Sequence, residues 1–118
     1  MRIWDVDPSL LCDRHLLGEH RELHAIWTVL TRDKRGYSRH PETLRWRGRL
    51  AALYARHDAE VAEMARRGFR HRSPLERRLA TGASRQTELV DPVDIQRRRL
   101  AEHACGCDPD AYRDAAAR

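Results

Sequence analysis

Apolar residues recur at helical spacing in three stretches of this chain. No pair of alternating stretches is joined by hairpin residues, and no block repeats. Met1 to Asp7 reads as a short lead-in, and Asp7-Pro8-Ser9 as a turn. From about Cys12 to Leu30, the residues Cys12, Leu16, Leu23, Trp27 and Leu30 share one face, with Ile26 beside them. That spacing predicts an amphipathic helix, and Asp13 in its first turn suits the helix dipole. Thr31 to His40 is polar, contains Gly36 and reads as a loop. Pro41 then stands at a helix's first position, and Trp46, Leu50, Leu53, His57, Val61 and Met64 share a face, with Tyr54 at its edge. The pattern predicts one long helix ending at Arg66-Arg67-Gly68-Phe69. Basic residues, a glycine and then an apolar residue form a C-cap signature. Ser73 to Glu76 offers an N-cap with proline at the first position, predicting a short helical turn that Thr81 to Ser84 breaks. Asp91-Pro92 opens a third helix, to about Ala104, with Val93, Leu100 and Ala104 inward. The tail from Gly106 is expected to fray. The fold expected is all-α: a compact single domain over residues 1–118, with about three principal helices and substantial loops.

Composition narrows the partners. A chain of 118 residues suits one compact domain. It carries a formal net charge of +5, almost all of its basicity is arginine, and Lys34 is the only lysine. A GC-rich genome explains that arginine bias by itself, yet the product is still a basic domain of the kind that meets phosphate backbones. No apolar run approaches a membrane span, and the N-terminus lacks the apolar core of a secretory signal. The compartment expected is the cytoplasm. The three cysteines, Cys12, Cys105 and Cys107, make no disulfide framework. Cys105, Cys107 and His103 form a metal-site fragment without a second ligand pair, so no metal is expected.

Candidate chemistry concentrates in the first helix. His15, Glu19 and Glu22 follow i, i+4, i+7 spacing along a side that borders the apolar stripe. A carboxylate there is partly removed from water, which raises its pKa and suits it to general acid or base work. The same pattern also fits a polar rail of salt bridges to the many arginines. Gly18, mid-helix, permits close approach of the N-terminal segment, a second helix or a ligand. His57 reads as a hydrogen-bonded core histidine. Two basic sets remain. Arg66, Arg67, Arg70, His71 and Arg72 straddle the long helix's end, where they either complement the dipole or bind phosphate. Arg32, Lys34, Arg35 and Arg39 surround Tyr37 in the first loop, which fits nucleic acid and a solvated loop about equally.

Met1-Arg2-Ile3, His15-Leu16 and Glu19-His20-Arg21-Glu22-Leu23 together resemble the amino-terminal region of pyrimidine-dimer DNA glycosylases of the phage endonuclease V type. Glu63 followed by Met64-Ala65-Arg66-Arg67-Gly68-Phe69 resembles the end of that family's central helix. The resemblance covers about the first half of the chain. It implies a compact helical enzyme that needs no cofactor, binds damaged double-stranded DNA, flips a nucleotide and cleaves glycosidic bonds at pyrimidine dimers. It also implies a nucleophile, the α-amino group of the N-terminus. This attacks the sugar C1′ and forms an imine, and β-elimination (the AP-lyase step) then breaks the strand. Glu22 matches the family's catalytic glutamate, Arg2 and Arg21 match DNA-holding arginines, and His15 matches an active-site histidine. Laid on the family without a gap, Met1 falls where phage-type members expose threonine, and the bulk of Arg2 protects Met1 from removal. His24 and Ala25 stand where the phage type has proline and arginine, and its aromatic-rich tail has no counterpart here.

Imine formation needs an uncharged amine. An α-amino group, with a reference pKa of about 7.7–8, supplies far more free base at neutral pH than lysine at about 10.4. The resemblance, with which this chemistry agrees, thus implies catalysis by Met1 and Glu22 and DNA binding by Arg2, His15 and Arg21; Lys34, Arg66 and Arg67 of the basic sets are expected to join them, in a monomer that acts on damaged or abasic DNA and has no membrane partner. Two other readings remain: a non-catalytic DNA-binding or protein-interaction module on the same fold, and a small metal-binding regulator using Cys105, Cys107 and His103.

Overall fold

A computed structural model describes residues 2–36 and 38–102. Its helices are α1 (Asp13–Thr31), α2 (Pro41–Leu44), α3 (Leu50–Arg66) and α4 (Val93–Glu102). A 3₁₀ turn at Pro8–Leu10 falls where the turn after Asp7 was expected; a second, at Arg77–Leu79, precedes the expected break at Thr81 but starts after Glu76, not after Ser73 as its cap. Among the described residues there is no named strand, only an isolated bridge between Arg49 and Gly82. Among the described residues no helix is long and apolar enough to cross a membrane. The all-α expectation holds. Ala104 and the tail from Gly106 lie outside the described residues.

α1 packs chiefly on α3. The Cys12 thiol caps its start by accepting from the His15 N–H at 3.5 Å. Its apolar stripe feeds two neighbouring clusters. Leu16 joins Trp4, Val6, Leu10, Leu11, Met64 and Leu100. Leu23, Ile26 and Trp27 join Ile3, Trp46, Ala52 and Leu53.

The long helix expected from Pro41 to Arg66 is instead two helices. The chain leaves α2 after Leu44, turns through Gly48 at φ +76° and restarts at Leu50. Trp46 is still buried, but from the turn. No side chain caps the start of α3. The Ala51 and Ala52 N–H groups donate instead to the Thr81 and Ala83 carbonyls, at 2.8 and 3.0 Å, and Ala83 N–H donates back to the Gly48 carbonyl at 2.9 Å. The long 67–92 connection thus supplies from a distance the acceptors that a local cap would have provided. The end of α3 follows the expected signature: Gly68 has φ +85°, Phe69 N–H donates to the Met64 carbonyl at 2.9 Å, and Phe69 packs on the first cluster.

Arg67 clasps α3 to the start of α1. Its guanidinium donates to Glu63 Oε2 at 2.8 Å, Asp13 Oδ1 at 3.0 Å and the Leu11 carbonyl at 2.6 Å. Arg66 pairs with the same Glu63 carboxylate. Burial pushes the Glu63 carboxyl up, but the two guanidiniums outweigh it and hold the group below its ordinary value.

Two predictions follow from these joints. A Cβ at Gly82, where φ is +82°, would collide with the Gly48 carbonyl, whereas one at Gly36 meets nothing within 4 Å. Gly82→Ala should therefore cost about 2 kcal/mol in urea unfolding, and Gly36→Ala no more than about 0.5. For Glu63, a lowered pKa means stability that is present above the carboxylate's ordinary value and lost as pH falls through the folded one. Glu63→Gln should cost about 1 kcal/mol at pH 7, after allowance for solvent screening. The gap should close as pH drops below 4.5; a pH-independent gap would contradict the clasp.

Candidate active site

The chain enters the fold through three consecutive amides, each accepted by a side chain from a different helix. Ile3 N–H donates to Glu42 Oε1 of α2 at 3.3 Å, Trp4 N–H to Glu19 Oε1 of α1 at 2.7 Å, and Asp5 N–H to Gln96 Oε1 of α4 at 2.8 Å. Arginines hold the carbonyls: Arg45 reaches Ile3 O at 2.9 Å and Arg56 reaches Val6 O at 2.7 Å. An extended segment has no backbone partners of its own, so these side chains satisfy groups that burial would otherwise orphan.

Glu19, Arg56 and Glu60 form the charged centre. Arg56 grips Glu19 with both Nε and Nη2, at 2.9 and 3.0 Å, and lies 3.8 Å from Glu60 Oε2. Burial holds the Glu19 carboxyl well above the usual range, and neighbouring Glu60 adds to this against the pull of Arg56. Burial likewise raises Glu60. One guanidinium thus faces two buried acids.

The expected side of α1 is assembled as its spacing implied. His15 packs edge-on against Trp4, with ring centroids 5.7 Å apart, and its Nδ1 lies 3.3 Å from Cys12 Sγ. Glu19 binds the Trp4 amide one turn later, and Glu22 follows, half-buried. Met1 lies outside the described residues, as does Tyr37. Arg2 lies over the Trp4 ring at 4.4 Å and pairs with Asp91 at 2.9 Å. Arg21 and Lys34 are exposed. Arg66 is exposed beside Glu63, while Arg67 is spent on the clasp described above. At Gly18 no described residue beyond its chain neighbours and α1's own backbone comes within 4 Å of where a Cβ would stand. Neither the described N-terminal residues nor the other helices therefore approach it, and Arg14 and Arg21 on either side are exposed.

The structure also gathers residues that the sequence reading left apart. His20 and His24 of α1, His57 of α3 and His71 beyond α3 bring one ring nitrogen each to within 4.8 Å of one another. Burial lowers all four pKa values; neighbouring imidazoles depress His24, His57 and His71 further, whereas Glu19 opposes the fall at His20. His24 and His57 fall to about 4, so these two rings are neutral at pH 7. His57 is thus a core histidine, as expected, but with imidazole neighbours. Leu53, His57, Glu60 and Met64 share helical spacing, so Glu60 was visible as a carboxylate on an apolar face. Glu42, Arg45 and Gln96 gave no such signal, because the backbone groups of residues 3 and 5 that they hold lie in the distant N-terminal segment. His103, Cys105 and Cys107 lie outside the described residues.

Residues 1–77 match the family model described as pyrimidine dimer DNA glycosylase, which is more than half of the chain. No curated protein and no solved structure matches it.

Because one guanidinium balances two buried acids, Arg56→Ala should destabilise the fold by about 3–5 kcal/mol. Chemical denaturation measures this, and a loss under about 1 kcal/mol would show that the acids do not depend on it.

Proposed function

The chain belongs to the pyrimidine dimer DNA glycosylase family, and from that premise we propose that it cleaves damaged DNA as a glycosylase and AP lyase, with the α-amino group of Met1 as nucleophile and Glu22 as its acid/base partner. The observation that carries this reading is the anchoring of residues 3–5 by three helices. The residues just after the amine are fixed against the side of α1 that bears Glu22. A nucleophile at a chain end is effective only when the chain behind it is held, because positioning supplies much of the rate.

In this reading the uncharged amine attacks C1′ of a flipped nucleotide and expels the base. The nitrogen loses its protons as the sugar ring opens, leaving an imine. Removal of a C2′ proton then expels the 3′ phosphate by β-elimination. Glu22 stabilises the positive charge developing at C1′ and carries protons in the later steps. Its half-buried position strengthens both roles, because water screens it less.

DNA contact falls to Arg2, His15, Arg21, Lys34 and Arg66. Exposed Arg21 lies beside Glu22, where a phosphate backbone would approach. Arg2 would exchange Asp91 for a phosphate, keeping its stacking on Trp4. Arg67, whose Nε, Nη1 and Nη2 all donate within the chain, fixes the helix end that presents Arg66.

The test uses duplexes that carry a cyclobutane dimer, an abasic site or no damage. The protein should nick the first two and spare the third. Glu22→Gln should bind the damaged duplex within about threefold of wild type but lose at least a hundredfold in strand cleavage. Binding without nicking by the wild-type chain would favour a non-catalytic DNA-binding module, and normal cleavage by Glu22→Gln would remove Glu22 from the mechanism.

A further inference from the structure

We propose that His20, His24, His57 and His71 form a closed four-imidazole site for a divalent transition metal of the zinc class, joining α1, α3 and the segment after α3. The four donor atoms lie within 4.8 Å of one another. His20 Nε2 and His24 Nε2 are 3.1 Å apart, and His24 Nε2 and His57 Nε2 are 3.2 Å apart. A tetrahedral ion with metal–nitrogen bonds of about 2.0–2.1 Å sets its donors about 3.3 Å apart, so two of the spacings are already those of a bound ion.

Hydrogen bonding alone does not account for this packing. An imidazole nitrogen carries either one hydrogen or one lone pair. His24 Nε2 faces two ring nitrogens and can form a good hydrogen bond with only one. His71 Nε2 is buried without any partner. An ion that accepts one lone pair from each ring resolves both mismatches.

The surroundings fit a cation. Glu60 Oε1 lies 2.9 Å from His20 Nδ1, which places a carboxylate behind the ring and leaves Nε2 bare toward its neighbours. A carboxylate behind the imidazole is the usual outer partner of a metal-bound histidine. Glu60 is fully buried, so water screens little of its interaction with His20. With four protein ligands no position remains for water or substrate, so the role is structural. Soft ligands are absent from the set, and a tetrahedral nitrogen cage favours zinc over copper(II), which prefers a tetragonal arrangement.

The experiment uses the full chain prepared without a polyhistidine tag. Zinc reconstitution followed by desalting and elemental analysis should give one equivalent per chain. Cobalt(II) should give the intense visible bands of a tetrahedral site, without a thiolate charge-transfer band. His71→Ala, at a half-buried position beyond α3, should keep its helical circular dichroism and bind zinc at least tenfold more weakly. If that variant fails to fold, the wild-type stoichiometry and cobalt spectrum still decide. The joint variant Cys105→Ala, Cys107→Ala should bind as wild type. Less than a tenth of an equivalent of zinc, a weak octahedral cobalt spectrum, a thiolate band, unchanged binding by a folded His71→Ala, or loss of binding in the cysteine variant would each overturn the proposal.

Discussion

The molecule depends on how its first residues are held. Ile3, Trp4 and Asp5 have no strand partner, yet Ile3 and Trp4 are buried, so their N–H groups need acceptors. Glu42, Glu19 and Gln96 supply them, one from each of three helices. The consequences reach far. α2 must stop early enough for Glu42 and Arg45 to face inward, and α4 must dock so that Gln96 spans Asp5 and the Asp91 carbonyl. Arg56 must sit beneath the segment to reach both Glu19 and Val6 O.

α1 then works on both borders of its apolar stripe. One border carries His15, Glu19 and Glu22 and receives the N-terminal segment. The other carries His20 and His24 and meets His57 and His71. Glu60 connects the borders, since it neighbours Glu19 and binds His20. The helix can hold a chain end in fixed register because it is tied down along its length, at Cys12, at Glu19 and through the histidines.

Elements that rest on local rules were legible in the sequence. α1 and α4 lie where apolar spacing placed them, and the end of α3 follows from Arg66-Arg67-Gly68-Phe69. The break between α2 and α3 was not legible, because the acceptors that start α3 come from residues 81 and 83. Of the site, the His15, Glu19, Glu22 side followed from spacing, and the roles proposed for Glu22 and the N-terminal amine came only from the family resemblance. The histidine cluster escaped because it needs His71, which only tertiary structure brings to α1. Glu42 and Gln96 escaped for the same reason: an acceptor cannot be recognised until the donor's path is known.

The assignment of the nucleophile is tested most directly by borohydride reduction of the protein on abasic-site duplex, followed by peptide mapping of the trapped complex. A covalent adduct is expected at the α-amino group of residue 1. An adduct at Lys34, the only lysine in the chain, or no adduct from protein whose N-terminus is shown to be free, would contradict it.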